Sequence, residues 1–107
     1  MRQITPKQLH DWLSDPNRES PVVLDVREDW ELEICSLPDS VRIPMNSIPG
    51  RHQELDPERD IVVVCHHGGR SMQVASFLVQ NGFTNVYNLS GGVDAWAREV
   101  DPTMATY

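Results

Sequence analysis

The chain has 107 residues, 39% hydrophobic and 23% charged, with a net charge of −7 at neutral pH. That is enough for one domain, residues 1–107, with a modest single core, and the negative balance argues against nucleic acid and anionic membranes as partners. No apolar run approaches the length of a membrane span. Met1-Arg2-Gln3-Ile4 carries no hydrophobic signal core, so a cytoplasmic location is expected, where Cys35 and Cys65 would stay reduced.

In chain order, Thr5-Pro6 reads as a helix N-cap followed by proline at the first helical position. That helix runs to about Ser14, with Leu9, Trp12 and Leu13 on its apolar face, and Asp15-Pro16-Asn17 breaks it. Val22-Val23-Leu24-Asp25-Val26 reads as a strand buried on both faces, as in the middle of a parallel sheet. A short acidic helix follows over Glu28 to Glu33, then a turn at Leu37-Pro38-Asp39-Ser40 and a brief strand over Val41 to Ile43. Asn46 is expected to cap a helix reaching about Leu55, with Pro49-Gly50 making its first turn irregular.

Ile61 to Val64 is a strand of four β-branched residues. Past it, Met72, Ala75, Leu78 and Val79 recur at helical spacing, and Asn81-Gly82 supplies a left-handed stop. Thr84 to Leu89 is a further strand, and Ser90-Gly91-Gly92 opens a last helix carrying Val93, Trp96 and Ala97. Alternating strands and helices imply an α/β fold, a parallel sheet with helices on both faces. A polar tail begins at about Asp101 and is expected to be partly disordered.

The most informative stretch is Cys65-His66-His67-Gly68-Gly69-Arg70-Ser71. It places a thiol at the end of a buried strand, where open α/β sheets hold their chemistry. Loop N–H groups and a helix start converge there, which favours a thiolate and any anion beside it. Gly68 and Gly69 remove side chains where backbone would approach a ligand, and Arg70 offers a planar fork for an oxyanion. Read blandly, Cys65 is a small core residue and Arg70 a solvated helix-start cation. The glycines and the arginine together favour a reactive thiol cradle.

His66 and His67 have two readings, as rim residues that shape access or add charge when protonated, or as solvent-exposed side chains. A zinc site on Cys65, His66 and His67 is disfavoured, because adjacent residues rarely reach one tetrahedral ion and no spaced Cys/His pair completes the set. No metal and no cofactor is expected. Asp25 and Arg27 read either as a structural ion pair near the strand end or as a buttress for the loop from the neighbouring strand, with support favoured over direct catalysis. Cys35 is either a second redox thiol or, more simply, a small buried hydrophobe.

Four short motifs, in order, make the chain resemble the single-domain rhodanese-like sulfurtransferases over nearly its whole length. They are Asp25-Val26-Arg27-Glu28, Ile43-Pro44, the Cys65–Ser71 loop and Gly91-Gly92-Val93-Asp94-Ala95-Trp96. The resemblance implies a small parallel sheet of about five strands. It also implies sulfur transfer from a small-molecule donor such as thiosulfate through a Cys65 persulfide, in two half-reactions. The acceptor would be a thiol, cyanide or a protein thiol. In this picture His66, His67, Gly68, Gly69, Arg70 and Ser71 bind the substrate, with Arg70 on the donor's oxyanion. The alternatives are a sulfur carrier or partner-binding module without turnover, and a phosphatase or arsenate reductase on the same fold. Those last relatives carry a loop one residue longer than Cys65–Arg70. One departure stands out: where family members usually read Gly-His-Ile-Pro-Gly-Ala, this chain has Cys35-Ser36-Leu37-Pro38-Asp39-Ser40.

Overall fold

The computed structural model describes residues 1–107. Five parallel strands form one sheet, β1 (Arg2–Ile4), β2 (Val22–Asp25), β3 (Val41–Arg42), β4 (Ile61–Val64) and β5 (Val86–Leu89), in the order β1-β5-β4-β2-β3. The helices are α1 (Pro6–Ser14), α2 (Asp29–Ile34), α3 (Ile48–Arg51), α4 (Gly69–Gln80) and α5 (Gly92–Glu99).

β4 is the central strand, and each of its four residues is fully buried. The strand's period of two sends Ile61 and Val63 to one face and Val62 and Val64 to the other. On the first face they join Leu24, Ile48, Val74, Ala75 and Leu78 under α3 and α4. On the second they join Leu9, Trp12, Leu89, Val93 and Trp96 under α1 and α5. A strand covered on both sides has no solvent face, which explains the unbroken apolar run.

The chain passes from β2 outward to β3, returns to the centre for β4, and then moves the other way to β5. Connections therefore leave the carboxyl ends of β2 and β4 in opposite directions. The loops after those two strands flank a crevice, the position where doubly wound sheets bind ligands.

Local signals hold well at the helix starts. Thr5 Oγ1 accepts from the Gln8 N–H at 3.1 Å, and Gln8 Oε1 accepts from the Thr5 N–H at 2.9 Å, a reciprocal cap ahead of Pro6. The structure differs from the sequence reading in three places. The helix foreseen from Asn46 to Leu55 breaks into a 3₁₀ turn at Met45–Ser47, the one-turn α3 and a second 3₁₀ turn at His52–Glu54. Asn46 caps nothing there; Pro49 disfavours helical backbone at the residue before it, and Gly50 is a weak helix former. The segment Arg2–Ile4, unassigned from sequence, becomes a strand by pairing with Tyr87–Leu89. The segment Asp101–Tyr107 packs against the fold: Asp101 N–H donates to the Trp96 carbonyl at 3.0 Å, and Met104 and Tyr107 pack on the second core.

Gly91-Gly92 sets the distance between α5 and the loop after β4. A Cβ on Gly92 would lie 2.3 Å from the Cys65 carbonyl oxygen and 2.4 Å from that of His66, and its φ is +60°. Gly92→Ala is therefore expected to destabilise the protein by roughly 2–4 kcal/mol, combining left-handed strain with a backbone clash. Gly69 has helical backbone and open space beside it, so Gly69→Ala is expected to be neutral or stabilising by up to ~1 kcal/mol. Urea midpoints of the two variants check the contrast.

Candidate active site

Cys65 ends β4 and is 1% exposed. Its sulfur accepts a hydrogen bond from the Gly68 N–H at 3.0 Å and lies 3.2 Å from Ser71 Oγ. Gly68 reaches this geometry with φ +107°, a left-handed value that favours glycine. It also caps α4, a helix of 12 residues whose first N–H groups have no helical partner and whose positive end faces the loop. Gly69, Arg70 and Ser71 form that first turn. Gly68 supplies the one backbone donor on the sulfur.

Behind the sulfur runs a buried polar chain that the sequence did not flag. Ser71 Oγ donates to Asn88 Oδ1, and Asn88 Nδ2 donates to the Gly68 carbonyl at 3.3 Å and to Gln3 Oε1 at 3.1 Å. Ser71 and Asn88 are both buried. A buried polar residue within a strand as apolar as Val86-Tyr87-Asn88-Leu89 was the available signal, since such groups persist only with partners.

Arg70 sits at the mouth with its fork engaged. Nη1 and Nη2 donate to the two oxygens of Glu31 at 2.7 and 2.8 Å. Glu31, 2% exposed, also accepts from the Glu28 N–H at 3.1 Å and from the Tyr107 hydroxyl. The Arg70 contact, helped by Tyr107 and Glu28 against the cost of burial, pushes the Glu31 carboxyl down to about 2. Pairing with Glu31 outweighs burial to raise the Arg70 guanidinium further.

Asp25 and Arg27 form the expected ion pair, with both side chains fully buried. Arg27 Nε and Nη2 donate to the carboxylate at 3.0 and 2.8 Å. Nη2 also donates to the Cys35 carbonyl at 2.8 Å, and Nη1 donates to the Tyr107 hydroxyl at 3.1 Å. Burial opposes the charge on Arg27, and the bonds to Asp25 and Tyr107 more than restore it. The pair touches the loop indirectly, through the Tyr107 ring stacked on His66 at 3.8 Å and 9°. Burial holds the Tyr107 phenol up at about 12.

His66 is half-buried between that ring and His67, whose centroid is also 3.8 Å away. Burial first, and the neighbouring His67 second, lower the His66 pKa. His67 is exposed, 4.0 Å from Asp94. Asp94 brings a third ligating atom within 4.8 Å of the two imidazoles, a neighbour not foreseen from sequence; its carboxylate is bonded to Arg98. Cys35 is half-buried, with its sulfur 3.7 Å from Arg27 Nη1. No helix is long and apolar enough to cross a membrane.

A five-stranded parallel sheet with a strand-end cysteine in a short glycine loop defines a class, and the comparisons agree with it. The rhodanese-like domain family matches residues 5–99, and the chain belongs to that family. It is 36% identical to a sulfurtransferase of Allochromatium vinosum, over 98% of this chain and 96% of that protein. It is 38% identical to the thiosulfate sulfurtransferase GlpE of Pseudomonas syringae, over 73% and 74%. The chain also spans 38% of a 40% identical chloroplastic rhodanese-like/PpiC domain-containing protein of Arabidopsis thaliana, with all of this chain covered. The crystal structure of a rhodanese-related protein from Thermoplasma volcanium superposes with a TM-score of 0.84 at 31% identity, covering 94% of each chain.

The Glu31 cluster has a pH signature. Its folded value near 2 lies below the ordinary 4.5, so the stability it contributes is present above pH 4.5 and is lost as pH falls toward 2. The difference in melting temperature between the wild type and Glu31→Gln is expected to be largest above pH 4.5 and to shrink below it. Thermal melts across that range check the direction.

Proposed function

We propose that the protein transfers a sulfane sulfur through a persulfide on Cys65. The observation that carries this reading is the sulfur itself, at a strand end, bonded by the Gly68 N–H and beside Ser71 at the start of α4. In the first half-reaction the Cys65 thiolate attacks the outer sulfur of a donor, the class to which thiosulfate belongs. The donor's S–S bond breaks, its leaving group takes the bonding pair, and the outer sulfur stays on Cys65. In the second, a thiol or cyanide attacks that sulfur and releases the Cys65 thiolate. Unpaired N–H groups of the loop and the first turn of α4 would hold the charged terminal sulfur.

Ser71 has one proton to give. While Cys65 is a thiol, the hydroxyl serves Asn88 and accepts from the S–H. Once the sulfur ionises, the hydroxyl turns to donate to it. A phosphatase on this loop is disfavoured on two counts. Four residues separate Cys65 and Arg70, and the fork that would grip a phosphate is bound to Glu31.

Intact-mass measurement after incubation with a sulfane donor tests the reading. The wild type is expected to gain about one sulfur atom, removable by cyanide or reductant. Cys65→Ser is expected to gain none and to lose cyanide-dependent turnover while keeping its fold by circular dichroism. Turnover retained in that variant would overturn the relay, whereas persulfidation without turnover would make the chain a carrier. Ser71→Ala is expected to slow persulfide formation about tenfold, one hydrogen bond to a charged group, with rapid-quench kinetics as the measurement.

A further inference from the structure

The cations around Cys65 are all paired. Arg70 gives both terminal nitrogens to Glu31, Arg27 gives Nε and Nη2 to Asp25, and Arg98 is bound to Asp94. His66 is biased toward its neutral form, and His67 lies beside Asp94. Three guanidinium groups thus face three carboxylates, and no uncompensated arginine faces the sulfur. Glu31 is also locked in place. It is 2% exposed, doubly bonded by Arg70, and held from behind by the Glu28 N–H and the Tyr107 hydroxyl. An arriving dianion could take Arg70 only by leaving that buried carboxylate short of partners, an expensive exchange.

We propose that Glu31 determines the sulfur donor: by holding the fork of Arg70 it turns the site away from dianionic donors and toward small organic hydropersulfides, R–S–SH. The inference rests on the Cys65 relay proposed above. The charge arithmetic supports it. Thiosulfate meeting a Cys65 thiolate brings three negative charges into a site whose ion pairs already cancel. A hydropersulfide, more acidic than its parent thiol, brings at most one beyond the thiolate, and none in the protonated form that reacts. Cys65–S⁻ attacks the outer sulfur, the S–S bond breaks, and R–S⁻ leaves with the bonding pair. The proton stays on the transferred sulfur as Cys65–S–SH, so one negative charge passes from one sulfur to another.

The test compares rate constants for loading Cys65, read by intact mass, with thiosulfate and with the hydropersulfide of 2-mercaptoethanol. The wild type is expected to load faster from the hydropersulfide. Glu31→Gln is expected to raise the thiosulfate-to-hydropersulfide ratio about ten- to a hundredfold, the worth of a charge-assisted contact made available. Arg70→Gln added to Glu31→Gln is expected to cancel that gain, while Arg70→Gln alone, which strands the Glu31 carboxylate, does not raise the ratio; a merely structural role for Glu31 predicts no such cycle. Tyr107→Phe, which removes a donor from Glu31 and leaves it more dependent on Arg70, is expected to lower the ratio by less than about tenfold. An unchanged or lower ratio in Glu31→Gln, or a gain that survives loss of Arg70, overturns the proposal. Where Glu31→Gln does not fold, an unchanged or higher ratio in Tyr107→Phe overturns it. Absence of loading by either donor overturns the relay itself, a result distinct from an altered preference.

Discussion

The site depends on the contact between the start of α5 and the backbone of the cysteine loop. Val93 N–H donates to the Cys65 carbonyl at 2.9 Å and Asp94 N–H to the His66 carbonyl at 3.1 Å. In a trans peptide the N–H points opposite to the carbonyl of the same plane. Tying those two carbonyls back to α5 therefore turns the N–H groups of His66 and His67 to the other side of the loop. The clamp works only because Gly92 has no Cβ, which would lie 2.3 Å from the Cys65 carbonyl oxygen. One helix thus orients the peptides of a loop that it precedes in space and follows in sequence.

Burial of charge is the second constraint. Arg27, Asp25 and Glu31 are nearly or wholly removed from water, where unpaired ions are prohibitively unstable. Each has a partner of opposite sign, and Tyr107 joins the two pairs by bonding both Arg27 and Glu31. The crevice is therefore polar, rigid and close to neutral. Those properties follow from the same contacts, so any change that frees a charge for a ligand also strands its former partner. Donor choice and stability are coupled through Glu31.

Where a segment's structure is decided by its own residues, the sequence was readable. The β-branched run of β4, the cap at Thr5, the stop at Asn81-Gly82 and the paired glycines before α5 are such cases, and the thiol loop fell between two of them. Contacts decided by tertiary placement were not readable. Arg2-Gln3-Ile4 has one buried apolar residue and becomes a strand because β5 offers it a free edge. The Arg70–Glu31 pair joins residues 39 positions apart, and a glutamate in an acidic helix carries no mark of its partner. The fork of Arg70 was assigned to a ligand for the same reason: sequence shows a donor but not what it meets. Asp101–Tyr107 looked like a solvated tail by composition, yet the aromatic ring of Tyr107 finds His66 to stack upon and two buried charges to bridge.

The departure at Cys35–Ser40 shows why a broken motif need not break a site. Asp39 occupies the position where the resembling family usually has glycine, and its φ is +56°. Aspartate is among the residues that tolerate the left-handed region, so the turn survives the exchange at modest strain. Cys35 reaches Arg27 mainly through its backbone carbonyl at 2.8 Å, with the sulfur farther off at 3.7 Å. A backbone carbonyl is supplied by every residue type. Ser36 turns outward and accepts from Arg42 at the sheet edge. The segment thus contributes main-chain geometry to the Asp25–Arg27 pair, and its side chains were free to change without disturbing the charges that line the crevice.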